Sequence, residues 1–495
     1  MRAKPNLILH ISRIALFGLL SAAFVLFVLF NITAFSQNDF MYGAAAAVWA
    51  QHGGLYSDVP FVQAPLSIML YLLLAKIMGS VDIFFPARIL SILLVSAAVL
   101  LPVLGKAKIQ DAGIWALYVA LCLTNPLITT NSNEIGNYAI ALFCLSASVA
   151  IINMRCPTLW RGFFACTTLG LAASAKLYFV VICPGVFLMF LFNAHEPKQF
   201  KVIAACGVGF LIGCSPILYF LMLDYQSFWK WNVDVFFVFM KVRELEGVSP
   251  ATQIPVTSLA FGAPLTIPIV FTLLVALQQY RLCGSAKAGT GRLIVVLCAY
   301  LMAISPGIPF PGYFAPLAFL VFLFSVPWRQ SSKTLRTPYI IFSTLLLCFQ
   351  AAFLIVLINT HGPALWQVVN IQSNASKIVD DNYKCDRRFY SAEPIFLLDN
   401  KIKYPRELAA GPFLLFLGRR ALAELGSDFD VMSRIKSWDP DVVIWGYFLD
   451  DEISERDEVD RAIRDYAIAR KFKTQIVGNL VGHRIYLAYR ADCKA

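Results

Sequence analysis

The chain is short of charge. Only 14% of its 495 residues are Asp, Glu, Lys or Arg, while 59% are hydrophobic and the mean hydropathy is +0.68. No soluble globular domain carries that balance, so composition excludes a soluble enzyme and points to a polytopic membrane protein. Acids are scarcer than bases, 30 against 41, for a net charge of +11. In a membrane chain such an excess belongs to loop placement, which removes nucleic acid as its explanation. There is no internal repeat and no low-complexity tract. The 12 cysteines show no metal-ligand spacing. Most lie in or beside apolar segments, where Cys serves as a small buried hydrophobe. Cys385 and Cys493 differ, because they bracket a polar C-terminal region. A disulfide between them is expected if that region lies outside the cytoplasm, and a pair of free thiols is the alternative. No small-residue cleavage site follows the basic first thirteen residues and the apolar run after them. An uncleaved anchor is therefore expected rather than a signal peptide.

What the chain does have is apolar runs. They predict membrane helices at about 14–35, 87–104, 113–129, 138–153, 162–175, 177–192, 202–222, 257–278, 293–305, 313–327 and 338–358, or about eleven. Several are short for a hydrocarbon core of roughly 30 Å. The stretch 163–192 is too long for one helix and carries Lys176 in its middle, which predicts two short helices meeting there. With the N-terminus inside, the cytoplasmic segments collect Arg2, Lys4, Arg13, Lys106, Lys108, Arg155, Arg161, Lys198, Lys201, Arg281, Lys287, Arg292, Arg329, Lys333 and Arg336, against Asp111 and Glu196. The opposite loops hold Asp39, Asp58, Asp82, Glu134, Asp224, Asp234, Glu244 and Glu246. This positive-inside pattern puts the N-terminus in and the C-terminus out. Counting 65–79 as a span would throw Lys106 and Lys108 outside, so it reads as a helix on the outer membrane surface within a long first loop, 36–86. The aromatic stretch 225–243 reads as an interfacial helix. The composition turns polar from about Asn359. Strand-like runs (394–398, 442–445, 484–488) then lie between helix-like ones (419–425, 454–471). The expected architecture is an all-α polytopic membrane domain over 1–358 followed by a small soluble α/β domain over 359–495.

The topology gathers polar groups at the outer face: Asp39, His52 and Asp58 from the first loop, Asn131, Asn133, Glu134 and Asn137 from the second, Lys176 at its helix break, Lys241, Arg243 and Glu244, and Tyr313. Carboxylates plus a few cations at one membrane face suit binding a phosphate at headgroup level and deprotonating a hydroxyl beside it.

At this point the pattern resembles the GT-C glycosyltransferases, especially family 39, which includes protein O-mannosyltransferases and the bacterial aminoarabinose transferase of lipid A. The resemblance runs in order over residues 10–330. Asp39 follows the first helix, then come Tyr42, a small-residue helix, and Gly-x-x-Tyr-x-Asp ending at Asp58. A Pro-Leu helix ends in Met78-Gly79, and Ala87-Arg88 opens the next helix. Glu134, Gly-Leu-Ala-x-x-x-Lys ending at Lys176, and Tyr313-x-x-Pro316 follow. The resemblance implies a multi-pass enzyme of the bacterial inner membrane with its site and C-terminal domain in the periplasm. It would move a hexosyl or pentosyl group from a polyprenyl-phosphate carrier to a hydroxyl of a lipid or glycan acceptor, with inversion. Asp39 would be the base or orienting group for the acceptor hydroxyl, and Glu134 would support the acceptor site or a metal. Lys176 would meet the carrier phosphate, with Arg243, Asp58, His52 and Tyr313 binding substrate. A divalent metal is compatible with such a fold, but no ligand cluster demands one. Two departures stand out: Phe40, not a second acid, follows Asp39, and Gln63-Ala64-Pro65 stands where the family often has Pro-Pro or a charged residue with Pro.

Each residue also has a plainer role. Asp39 can also be a helix-capping carboxylate, Asp58 a turn residue and Glu134 an exposed loop acid. Lys176 can snorkel to headgroups, Arg243 can anchor an interface, His52 can be structural and Tyr313 can sit in an aromatic belt. A secondary transporter or flippase of an envelope lipid or sugar is the alternative of another class, though transporters usually show repeats and matched helix breaks. A glycan-binding scaffold is a third.

Overall fold

The structure is a computed structural model. It describes residues 5–34, 38–57, 59–104, 112–132, 135–154, 157–193, 199–245, 265–283, 286–304, 311–326, 333–361, 363–382, 387–410, 431–447 and 455–491.

Helical segments occupy the apolar stretches, with bounds that differ mainly at the ends. The first runs Pro5–Thr33, and the last of the apolar set runs Lys333–His361. Among the described residues, three helical runs are long and apolar enough to cross a membrane: Ala15–Thr33, Phe84–Leu104 and one within Leu335–Asn382. The helices Phe200–Gly213 and Ser215–Leu223, bent by 58°, make a fourth if they count as one span. Other apolar helices are shorter, such as Ala112–Thr124 and Tyr138–Ile152, so the number of crossings stays an expectation from sequence. The reason for the short helices is local: proline and polar residues interrupt the runs before the roughly 20 residues that a span needs. Thus Asn125 caps a short second helix, Pro126–Thr129, by accepting from the Leu127 amide at 3.1 Å.

The break at Lys176 is present. The helix Thr158–Ala175 ends on it, Lys176 is extended (φ −148°, ψ 110°), and a 3₁₀ turn, Leu177–Val181, leads to Cys183–Asn193. Thr158–Ala175 packs against Gln199–Gly213 through a seam of small residues. A Cβ at Gly209 would overlap the Phe163 carbonyl, and one at Gly213 the Thr167 carbonyl. Two backbones meet where no side chain fits, the usual way for helices to associate without a hydrophobic drive.

The stretches read as non-spanning are also helical. Pro65–Met78 starts on a proline at its first position and stops at Gly79, whose φ of 65° suits a residue without Cβ. Tyr225–Trp229, a π turn at Lys230–Asp234 and Val235–Leu245 form one helical stretch.

In the C-terminal region the helix Ala364–Asn382 precedes a five-stranded sheet of order β2-β1-β3-β5-β4. The strands are β1 Arg387–Ser391, β2 Ile402–Lys403, β3 Val442–Trp445, β4 Lys473–Leu480 and β5 His483–Tyr489. β1 is parallel to β2 and β3, while β3–β5 and β4–β5 are antiparallel. Val481 and Gly482, both at positive φ, close the β4–β5 hairpin. Alternation along the strands gives two apolar faces. Phe389, Val442, Ile444 and Leu487 join the core shared with the membrane helices, and Tyr390, Val443, Trp445 and Ala488 form a second core with Val431–Trp438 and Glu455–Ala469. One sequence expectation fails here. Residues 394–398 are not a strand, for Pro394–Leu397 forms a 3₁₀ turn. The Ser391 hydroxyl accepts from the Glu393 amide at 3.0 Å and bends the chain out of β1, and Pro394 has no N–H for a ladder. Residues 419–425, expected to be helical, lie outside the described residues.

This domain docks on the helix Asn38–His52, the one that begins beside Asp39. Ile395 and Leu398 sit 3.6 Å from where a Cβ on Gly43 would be. Gln51 donates to the Ile402 carbonyl and accepts from the Tyr404 amide at 3.1 Å. Asn400 accepts from the Val81 amide and donates to the Gly79 carbonyl, both at 2.9 Å.

Candidate functional site

Asp39 lies in the first turn of its helix and is fully buried. Arg88, 2% exposed on Phe84–Leu104, reaches it from the side: Nη2 is 3.0 Å from Oδ2 and also donates to the Ala34 carbonyl at 2.8 Å. The Ile135 amide donates to the other carboxylate oxygen. By sequence, Arg88 stands only as part of a pattern and carries no role. No periodicity brings residue 88 to residue 39; only the packing of two helices does.

Lys176 forms the second centre. It is 5% exposed. Its ammonium donates to Gln63 Oε1 at 2.8 Å and faces the rings of Tyr138, Tyr178 and Tyr313 at 4.7, 5.7 and 5.9 Å. The rings brace one another edge to face, with centroids 6.0 Å apart for Tyr138–Tyr313 and 5.6 Å for Tyr178–Tyr313. Gln63 and the three rings are neutral groups that meet the cation through a hydrogen bond and through their ring faces. Tyr138 and Tyr178 are not singled out by the sequence, although each stands near a residue that is, one after Asn137 and the other two after Lys176.

Four consecutive residues join the two centres. The Ile135 amide meets Asp39, the Gly136 carbonyl accepts from Tyr71 at 2.8 Å, Asn137 Nδ2 donates to Gln63 Oε1 at 2.9 Å, and the Tyr138 ring faces Lys176. Tyr56 fixes the other side of Gln63 by donating to its carbonyl at 2.6 Å. Tyr56 holds a positive φ of 72°, unusual for a residue with a Cβ, and its ring packs against Phe220 and Phe228. Burial pushes its phenol well above the ordinary range, against a hydrogen bond with Asn232 that lowers it.

Of the predicted site residues, the structure therefore brings together Asp39, Lys176 and Tyr313. His52 stands elsewhere: its Nε2 donates to the Tyr404 carbonyl at 2.7 Å, a tether to the C-terminal domain. Arg243 is on the helix Val235–Leu245. Asp58, Glu134, Cys385 and Cys493 lie outside the described residues. Among the described residues no three His, Cys, Asp or Glu side chains gather as metal ligands.

No family model and no curated protein matches the chain. Two solved structures do, both of ArnT from Cupriavidus metallidurans. The apo form has a TM-score of 0.56 at 11% identity over 98% of this chain and 99% of that one. The form bound to undecaprenyl phosphate has a TM-score of 0.59 at 12% identity over 96% and 98%. The chain has the ArnT fold. ArnT and this protein are alike over nearly their full lengths, so the apolar helices and the C-terminal sheet belong to one shared architecture.

Proposed function

We propose that the protein is a membrane glycosyltransferase that moves a sugar from a polyprenyl-phosphate carrier to a hydroxyl of a lipid or glycan acceptor, with inversion, at the periplasmic face of a bacterial inner membrane. The observation that carries this reading is a buried ammonium, Lys176, held against a neutral amide and three phenol rings, one short loop from a buried carboxylate, Asp39. The ArnT fold supports it, since one of those structures holds undecaprenyl phosphate.

Lys176 would neutralise the carrier phosphate as it leaves, a task that falls to fixed cations in a water-poor site. Tyr313, as a wall around the ammonium, would hold it in place. Arg243 would add a second cation from the helix Val235–Leu245. Asp39 would take or orient the proton of the acceptor hydroxyl, and its pairing with Arg88 makes orientation the better-supported role. Glu134, directly before the amide that touches Asp39 in sequence, would serve the acceptor side. Asp58 would shape the first loop around the donor, and His52 would bear on substrate through the docked domain. A divalent ion is not needed for any of these roles, and Glu134 is the residue best suited to bind one.

The test is turnover of a panel of polyprenyl-phosphate sugars by purified protein, with extracted envelope glycolipids as acceptors, for wild type and Asp39→Asn. Transfer that disappears in the variant supports both the class and the role of Asp39. A folded protein that turns over no donor and binds no polyprenyl phosphate overturns the reading in favour of a transporter or scaffold.

A further inference from the structure

We infer that Gln51 is a positioning residue for Asp39: it clamps the last turn of the helix Asn38–His52 to the edge of the C-terminal sheet, and the helix carries that constraint to the carboxylate in its first turn. The inference rests on the reading just given, because it takes Asp39 to act on the acceptor hydroxyl.

β2 is an edge strand, so among the described residues one side of its backbone has no strand beside it. Ile402 and Tyr404 stand two apart, and their backbone groups therefore point the same way. The Ile402 carbonyl accepts from Gln51 Nε2, the Tyr404 amide donates to Gln51 Oε1 at 3.1 Å, and the Tyr404 carbonyl accepts from His52 Nε2 at 2.7 Å. Two side chains of one helix thus take three successive edge groups. A carbonyl only accepts and a backbone amide only donates, so the two bonds fix which end of the Gln51 amide is which. The pairing has a direction that the apolar contact beside it lacks. Ile395 and Leu398 rest near Gly43 through burial alone, and burial tolerates sliding. The paired amide fixes both the rotation of the helix and its place along its own axis.

The helix is built to carry that constraint. Ala44, Ala45, Ala46, Ala47 and Val48 are each at most 1% exposed, so more than a full turn is enclosed on every side. Their short side chains leave little room to take up a shift, and a packed interior transmits displacement. Twelve residues separate Gln51 from Asp39, about 18 Å at 1.5 Å each. At that far end the carboxylate meets the Ile135 amide and the Arg88 guanidinium. Such bonds weaken steeply with displacement, and about 1 Å of misplacement at reacting groups costs roughly 100-fold in rate. The C-terminal domain can therefore set the acid without any of its residues touching the reacting atoms. Gln51 itself is exposed, so replacing it removes the clamp without opening a cavity.

The experiment compares full-length wild type, Gln51→Leu and Gln51→Ala in one detergent. Hydrogen exchange, undecaprenyl phosphate binding, turnover of a lipid-linked sugar and the thermal transition are recorded for each. The Tyr404 amide should exchange faster in both variants, which reports that the clamp is open. The Ile135 amide, at the other end of the helix, should exchange at least about 10-fold faster. kcat should fall at least about 10-fold, with the donor KM and the Kd of undecaprenyl phosphate within about 2-fold of wild type. Q51L and Q51A should behave alike, because what is lost is the amide. Folded variants in which either the Ile135 exchange or kcat stays at the wild-type value would overturn the inference while the proposed function stood. A parallel loss of carrier binding, or of the thermal transition, in both variants would also overturn it, because it would give Gln51 a role in the fold at large. Wild type that turns over no donor, with Ile135 still exchanging faster in the variants, would overturn the proposed function and leave the clamp standing.

Discussion

The ion pair Asp39–Arg88 is the feature whose removal should cost most. Both side chains are out of water, at 0% and 2% exposure, and 3.0 Å apart. At an effective dielectric of about 20, charges at that distance attract by about 5–6 kcal/mol, most of it offset by their desolvation. Removing one partner leaves the desolvation without the attraction. Arg88→Met keeps volume but strands a buried carboxylate and takes a donor from the Ala34 carbonyl, so a cost of about 3–5 kcal/mol is expected. Asp39→Asn keeps an acceptor for the Ile135 amide and strands a guanidinium, at about 2–3 kcal/mol. The double variant D39N/R88M removes both charges of the pair. It should recover part of the loss, with a coupling energy of about 2–3 kcal/mol. Chemical or thermal unfolding of the four proteins in one detergent measures the cycle, and turnover of a lipid-linked sugar runs beside it. Part of the stability should return in the double variant and turnover should not. Additive effects, with a coupling below about 0.5 kcal/mol, would refute the claim that the two charges are energetically one unit.

Further outcomes follow from other parts of the fold. Gly213→Ala should destabilise the protein by about 1–3 kcal/mol, because its Cβ would meet the Thr167 carbonyl, while Gly207→Ala on the same helix, with open space around it, should be neutral or slightly stabilising. Equal melting temperatures for the two would sink the close-packed seam. Glu393 is buried in the C-terminal domain, and burial, with Asp460 adding to it, holds its carboxyl well above the ordinary carboxylate range. The folded state thus keeps a proton that the unfolded state releases, so stability falls as pH rises above the usual carboxylate value. Glu393→Gln should match wild type near pH 4 and exceed it by about 1 kcal/mol or more at pH 8, and a gain that does not change with pH would count against it. Asp439 behaves oppositely. Burial works against its charge, but Arg490, Tyr466 and Arg470 hold its carboxyl down to about 2. Its contribution should be present at neutral pH and fade as pH drops from about 4 toward 2, and Asp439→Asn should remove that part of the acid unfolding curve.

Some of this protein is set by local sequence. Apolar runs determine where helices lie, prolines and Gly79 determine where several start or stop, and Lys176 ends a helix because the apolar run on either side is too long to continue unbroken. Val442–Trp445 and His483–Tyr489 are visible as short alternating or β-branched runs. The 3₁₀ turn at Pro394–Leu397 is not, because an apolar run of four is compatible with either state until Ser391 bends the chain and the turn is buried. β1, β2 and β4 escape a sequence reading for a related reason: Arg387, Arg388, Lys403, Lys473 and Thr474 read as loop, and only backbone pairing with neighbouring strands makes these segments part of the sheet.

The candidate site divides in the same way. Asp39, Lys176 and Tyr313 stand out because charge or a phenol in an apolar chain has a cost that calls for a use. Their partners do not. Arg88, Gln63, Tyr138 and Tyr178 are ordinary residues in their own segments. What singles them out is contact across long stretches of chain (113 positions for Gln63 and Lys176) or across a helix break. Sequence periodicity encodes which face of a segment turns inward. Which inward faces then meet depends on packing of backbones at small residues such as Gly209 and Gly213, and that is a property of the assembled helices alone.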